Sequence, residues 1–190
     1  MASDFRLPTD RRTLVVEGMR FDSHPKIMGI INATDDSFFE GSRMMDSEAV
    51  QKGIAMWEAG ATWVDVGGES TRPGADPVDE ATELQRVIPV IEGLREARPN
   101  GLISIDTRHA SVARQALKAG ADMVNDVSGL RDPEMVEVVL EAECAVCVMH
   151  MQGEPGTMQA NPSYADVNEE VATMLEQVKE LLVGRGHPAE

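Results

Sequence analysis

The sequence predicts an α/β fold in which the short strands of a parallel sheet alternate with helices. Five short apolar runs, Ile27 to Ile31, Thr62 to Val66, Leu102 to Ile105, Met123 to Val124 and Ala145 to Met149, are separated by longer stretches. Two of the longer stretches have helical period. Leu84, Val87, Ile88, Ile91 and Leu94 share one face, and so do Val167, Val171, Met174, Leu175, Val178 and Leu182. An internal repeat links the two kinds of segment: Ala59-Gly60-Ala61-Thr62-Trp63-Val64-Asp65 matches Ala119-Gly120-Ala121-Asp122-Met123-Val124-Asn125. In each copy a helix closes on a glycine, which accepts the left-handed conformation, and the strand that follows ends on an acid or an amide.

Residues 1–26 form a lead-in without an apolar run, and the first strand follows it. A helix then closes at Gly60, and the second strand runs into Gly67-Gly68-Glu69. The helix of the 84–94 face contains Pro89, which should kink it. The third strand ends at Asp106, and the fourth at Asn125-Asp126. Asp132-Pro133 supplies an N-cap and a proline in the first turn of the next helix. The fifth strand leads to His150 and to the last helix. Gly184, Gly186 and Pro188 after it are stop signals that normally introduce another strand. A closed eight-stranded α/β barrel needs ~250 residues, and five units would leave two edge strands unpaired. The expectation is the N-terminal part of a longer chain, or a partner that supplies the rest.

A length of 190 residues and a hydrophobic content of 42% suit one domain with a sizeable core. No stretch approaches the ~20 apolar residues that span a membrane, and no apolar run follows the N-terminal charges, so a cytoplasmic protein is expected. The net charge of −16 arises from 33 acidic against 17 basic residues, with lysine only at 26, 52, 118 and 179. Such a balance disfavours nucleic acid and anionic membranes and favours solubility. It also resembles the acid-rich, lysine-poor surfaces of salt-adapted cytosols, and a halophilic source is expected. Cys144 and Cys147 form a lone C-x-x-C. A zinc site needs about four ligands and a thioredoxin-type pair opens a helix, so both are expected to be small core residues.

Each strand is followed by polar groups: Asn32, then Asp65 with Gly67-Gly68-Glu69, Asp106, Asn125-Asp126, and His150. Active sites of barrels and open parallel sheets gather at this carboxyl edge. No Ser-His-Asp set, Walker loop or G-x-G-x-x-G is present.

The motifs Met28-Gly-Ile-Ile-Asn-Ala-Thr-Asp-Asp-Ser-Phe38, Gly67-Gly-Glu-Ser-Thr-Arg-Pro-Gly74, Ser104-Ile-Asp-Thr107, Asn125-Asp-Val-Ser-Gly129 and Met149-His-Met-Gln-Gly153 together resemble dihydropteroate synthase, of the pterin-binding superfamily. The resemblance spans residue 27 to the C-terminus. It implies a TIM (β/α)8 barrel, here incomplete with about five β-α units, and one pterin-binding domain over 1–190, truncated at its C-terminal end. It implies condensation of (7,8-dihydropterin-6-yl)methyl diphosphate with p-aminobenzoate to 7,8-dihydropteroate and pyrophosphate, in folate biosynthesis, by an enzyme that sulfonamides target. It assigns Asp106 and Asn125 to the pterin ring, with Met149 packed on its face, and Asn32 to magnesium and the diphosphate. Thr71 and Arg72 fall to catalysis at the diphosphate, and Phe38 and Pro73 to the p-aminobenzoate pocket. His150 receives no role, and His24, His109 and His187 stand isolated. The full-length protein is expected to be a homodimer through its later helices.

From the residues alone, Asp106 also fits an N-cap, Asn32 a turn residue, Arg72 a solvated loop cation and Phe38 a local core anchor. The first loop departs from the family pattern: Thr34-Asp35-Asp36-Ser37-Phe38-Phe39-Glu40-Gly41-Ser42 lacks the usual proline and second glycine. The family's later Asp-Pro-Gly-type motif, lysine and C-terminal Arg/His pair have no counterpart, so the chain alone is expected to be weakly active or inactive. The alternatives are the folate-binding domain of a corrinoid-dependent methyltransferase, against which Glu69-Ser-Thr-Arg-Pro73 and Asn32 argue, and a pterin-binding module without catalysis.

Overall fold

In the computed structural model the described residues are 9–19, 25–33, 42–69 and 78–188. The elements run α1 (Thr9–Met19), β1 (Met28–Asn32), α2 (Ser42–Glu58), β2 (Trp63–Gly67), α3 (Glu80–Ala97), β3 (Leu102–Asp106), α4 (Ala110–Ala119), β4 (Met123–Asp126), α5 (Pro133–Ala142), β5 (Ala145–Val148) and α6 (Val167–Gly184). All five predicted strands are present. The first four extend beyond their apolar runs into the polar residues that follow, because those residues pair with one another: Asn32 with Gly67, Gly67 with Asp106, and Asp106 with Asn125.

The sheet has the order β1-β2-β3-β4-β5, with every pair parallel. Strand order that follows chain order is barrel winding; a doubly wound sheet would reverse at a switch point. Residues paired across neighbouring strands share a face. One face carries Ile31, Val64, Val66, Ile103, Ile105 and Val124, all buried, and joins a single core with Val87, Ile91 and Leu94 of α3, Val112 and Ala116 of α4, and Met135 and Val139 of α5. The other face, toward the barrel interior, carries Asp65 and Ser104 and, at the carboxyl edge, Asp106 and Asn125.

Several expectations change. The α3 face that reaches the core includes the fully buried Glu83, while Leu84 and Ile88 are only partly buried. Pro89 lies inside α3, which continues through it. Only Leu182 of the predicted α6 stripe is buried. Val167 and Leu175 stay 47% and 40% exposed, because α6 flanks the outer edge of β5, where no further strand pairs among the described residues. There α6, β5 and α1 line an apolar groove of about 610 Å³ that includes Val15, Val146, Leu175, Val178 and Leu182.

The caps follow the sequence closely. Gly60 and Gly120 close α2 and α4 with φ of 104° and 118°. Asp132 caps α5 by accepting from the Glu134 N–H at 2.9 Å, with Pro133 in the first turn.

The lead-in contains a helix that the sequence reading did not assign. α1 lies across the amino ends of the strands, where Trp63 Nε1 donates to the Gly18 carbonyl at 3.2 Å. The side chain of Asp122, just before β4, is 1% exposed. It accepts from Arg11 Nε at 3.1 Å, Arg95 Nη2 at 2.8 Å and the Ile103 N–H at 2.9 Å. A buried carboxylate needs this degree of pairing, and here the pairing ties α1 to the sheet. Among the described residues no helix is long and apolar enough to cross a membrane.

Candidate active site

Asn32, Gly67, Asp106, Asn125 and Cys147 stand in one row of cross-strand partners at the carboxyl edge of the sheet. The row exists because parallel register pairs the fifth residues of β1, β2 and β3 with one another and with the third residues of β4 and β5. Gly67 leaves space in its middle: a Cβ there would meet Asp106 Cβ and Oδ2 at 3.4 Å.

Asp106 is not a helix cap. The N-cap of α4 is His109, and Thr107 Oγ1 accepts the His109 N–H at 3.1 Å. The Asp106 carboxylate therefore takes no part in capping α4 and stands at the carboxyl edge of the sheet, level with Gly67 and Asn125. Burial, followed by the negative charges of Asp65, Glu83, Asp126 and Glu69, pushes its pKa up to about 7. A carboxylate in such a place gains from any ligand that brings N–H donors.

Asn125 donates through Nδ2 to Asp65 Oδ2 at 3.2 Å, which orients the amide and turns its carbonyl oxygen into a free acceptor. Asp65 is 3% exposed, and its Oδ1 has no hydrogen-bond partner. Burial raises the Asp65 pKa, so it too favours a donor, from water or ligand. The sequence reading noted Asp65 only as a strand-end acid; its strand position beside Ser104, one step inside the row, is what makes it part of the site. Asp126, next to Asn125 in the motif, does something else. Asp126 accepts from the Ser128 N–H at 2.7 Å and the Leu130 N–H at 2.9 Å, holding the turn after β4.

Met149 lies just past β5 rather than within it, half-buried, with its carbonyl oxygen 2.9 Å from where a Gly129 Cβ would stand. Asn32 is exposed at the end of β1. Phe38, Thr71, Arg72 and Pro73, with the altered loop at 34–41, lie outside the described residues.

The cysteine expectation holds for one residue of the pair. Cys144 is buried, and burial pushes its thiol up to about 12. Cys147 is exposed and level with Asn125, because positions three apart on extended chain face opposite ways. Two histidines have partners. His109 Nδ1 is 2.6 Å from Glu83 Oε2, and His187 Nε2 is 2.9 Å from the Cys144 carbonyl. His150 packs against Tyr164 at 5.6 Å between ring centroids.

Sequentially wound parallel strands with Asn32, Asp106 and Asn125 level at their carboxyl edge define a barrel-type site rich in hydrogen-bond acceptors. A family profile described as pterin binding enzyme matches residues 28–190. The chain is 48% identical over 160 residues to the dihydropteroate synthase of Escherichia coli, a match that covers 83% of this chain and 56% of that protein. Its fold superposes on a Yersinia pestis dihydropteroate synthase in complex with a sulfonamide drug at a TM-score of 0.79 and 40% identity, covering 88% of this chain and 61% of that one. A Xanthomonas albilineans dihydropteroate synthase with 4-aminobenzoic acid gives 0.78 and 40%, covering 88% and 59%. The chain belongs to the pterin-binding enzyme family. It covers 56% of the length of the Escherichia coli and Haemophilus influenzae dihydropteroate synthases.

Proposed function

We propose that the chain provides the pterin-binding part of a dihydropteroate synthase, which joins p-aminobenzoate to a (7,8-dihydropterin-6-yl)methyl diphosphate and releases pyrophosphate. The observation that carries this reading is the row Asn32, Gly67, Asp106 and Asn125, with Asp65 beneath it. A dihydropterin ring offers an amino group and ring N–H donors on one edge. Asp106 and the Asn125 side-chain oxygen accept them, and the raised pKa of Asp106 means that the ligand's donors supply stabilisation its carboxylate otherwise lacks.

The displacement needs no nucleophilic side chain. The pterin can stabilise a cationic methylene, so positioning and charge neutralisation suffice. Arg72 would neutralise charge on the departing diphosphate, Thr71 would donate to it, and Phe38 and Pro73 would wall the p-aminobenzoate pocket. Met149 would pack on the pterin face.

Magnesium fits the residues present in a limited way. Among the described residues no group of three or more histidines, cysteines or acids could hold a metal ion, but Asn32 offers an exposed amide oxygen at the row's end. One oxygen is enough for an ion held mainly by phosphate and water. Bound there, it would supply positive charge to the diphosphate.

The test is pyrophosphate release from the dihydropterin diphosphate with this chain, magnesium and molar KCl. The expected result is weak release that requires p-aminobenzoate and is lost in Asp106→Ala. Release at the same rate without p-aminobenzoate would contradict it. Substrate binding with no release would fit both a synthase part whose remaining catalytic groups lie outside this chain, which covers 56% of the Escherichia coli relative, and the second reading, a binding module.

A further inference from the structure

Between β2 and α3 the chain departs through Gly68 and Glu69 and returns at Val78. The departing side is seated tightly. A Cβ on Gly68 would stand 2.9 Å from Glu83 Cγ and 2.9 Å from Val87 Cγ1, and the Gly68 carbonyl accepts from Arg86 Nη1 at 2.9 Å. The next residue, Glu69, reaches the returning side: its Oε1 accepts the Val78 backbone N–H at 3.2 Å. The same carboxylate receives a fork from Arg108, Nε to Oε2 at 2.9 Å and Nη2 to Oε1 at 3.1 Å. Arg108 sits two residues beyond Asp106, in the turn after β3.

One side chain thus joins the chain leaving the sheet, the chain returning to it and the neighbouring strand end that bears the candidate pterin carboxylate. An exposed ion pair would contribute little, but the Glu69 and Arg108 side chains are only 15% and 32% exposed. Two-pronged geometry on a carboxylate that also holds a backbone N–H fixes relative position as well as charge. Burial alone would raise the Glu69 pKa. The bonds from Arg108 and Val78 outweigh it and hold the carboxyl below its ordinary value, so the clasp persists through neutral pH.

We infer that Glu69 is a positioning residue: with Arg108 and the Val78 amide it clasps the neck of the segment that carries Thr71 and Arg72 and sets that neck against the Asp106 end of β3. The inference rests on the function proposed above, in which Thr71 and Arg72 serve the diphosphate and Asp106 the pterin. It assigns Glu69 no contact with substrate.

The experiment compares the full chain with Glu69→Ala, Arg108→Gln and the double variant in three measurements. Hydrogen exchange of the Val78 amide reads the clasp. Affinity for inorganic pyrophosphate with magnesium reads the 70–77 segment, and affinity for a dihydropterin lacking diphosphate reads the strand-end row. The expected result is Val78 exchange at least about tenfold faster in Glu69→Ala, which removes the acceptor, and pyrophosphate affinity about tenfold weaker in either single variant. The double variant should be no worse than the singles, with pterin affinity unchanged within about twofold. Unchanged Val78 exchange would overturn the clasp. Unchanged pyrophosphate affinity, additive losses, or a pterin loss as large as the pyrophosphate loss would each overturn the positioning role. A wild-type chain that binds the dihydropterin but no pyrophosphate would instead refute the role of Thr71 and Arg72, and this inference with it.

Discussion

Asp106 places binding and stability in opposition. Its carboxyl titrates at about 7 in the folded chain against an ordinary 3.8, so the folded state holds a proton that the unfolded state releases from about pH 4 upward. The contribution of Asp106 to stability is fully present below pH 4 and is lost as pH rises, with the loss complete near pH 7. The loss is about 4 kcal/mol at most, and partial exposure of the group lowers it. Affinity for the pterin runs the other way, because N–H donors need the carboxylate, and should rise by up to about tenfold per unit between pH 5 and pH 7. Asp106→Asn should therefore raise the melting temperature at pH 8, flatten the acid side of the stability curve and weaken pterin binding. Thermal melts and calorimetric titrations from pH 4 to 9 read both slopes; a variant whose stability keeps the wild-type pH dependence would contradict the assignment.

At the scale of the elements, the strands were legible because apolar runs bounded by glycine and polar residues leave little choice of structure. The row at the carboxyl edge was legible because each of the first four strands ends in an acid, an amide or glycine, and parallel register then aligns them. What escaped the sequence was pairing at a distance. Glu83 looks like a solvated residue at the start of α3, but it is fully buried against His109. Nothing local marks Arg108 as the partner of Glu69 across 39 positions. α1 was missed because its arginines resemble a solvated lead-in, whereas Arg11 reaches a carboxylate 111 positions away. Asp122→Ala tests that attachment. It leaves Arg11, Arg95 and the Ile103 N–H without their acceptor and should cost about 3–5 kcal/mol, read as a lower urea midpoint; a change within about 0.5 kcal/mol would show that α1 is not fastened this way. Gly68→Ala tests the seat of the β2 loop. Its methyl meets Glu83 and Val87 at 2.9 Å, and a loss of about 1–3 kcal/mol is expected in the same assay.

For the whole molecule, a charge of −16 on 190 residues means that repulsion opposes compaction at low ionic strength. The melting temperature should climb as KCl is raised toward molar concentration and the charges are screened, and equal melting in dilute and molar KCl would contradict salt adaptation. Among the described residues the open sides are the outer edges of β1 and β5 and the apolar side of α6, while Gly67, Asp106 and Asn125 of the strand-end row lie on strands paired on both sides. On the proposed function, pterin recognition resides in these five units. The most direct test is calorimetric titration of the folded chain with the dihydropterin diphosphate and magnesium in molar KCl, beside Asp106→Ala and Asn125→Ala. The account predicts saturable one-to-one binding by the wild-type chain, weakened at least about tenfold by either substitution. No binding by folded wild-type chain, or equal binding by Asp106→Ala, would contradict it.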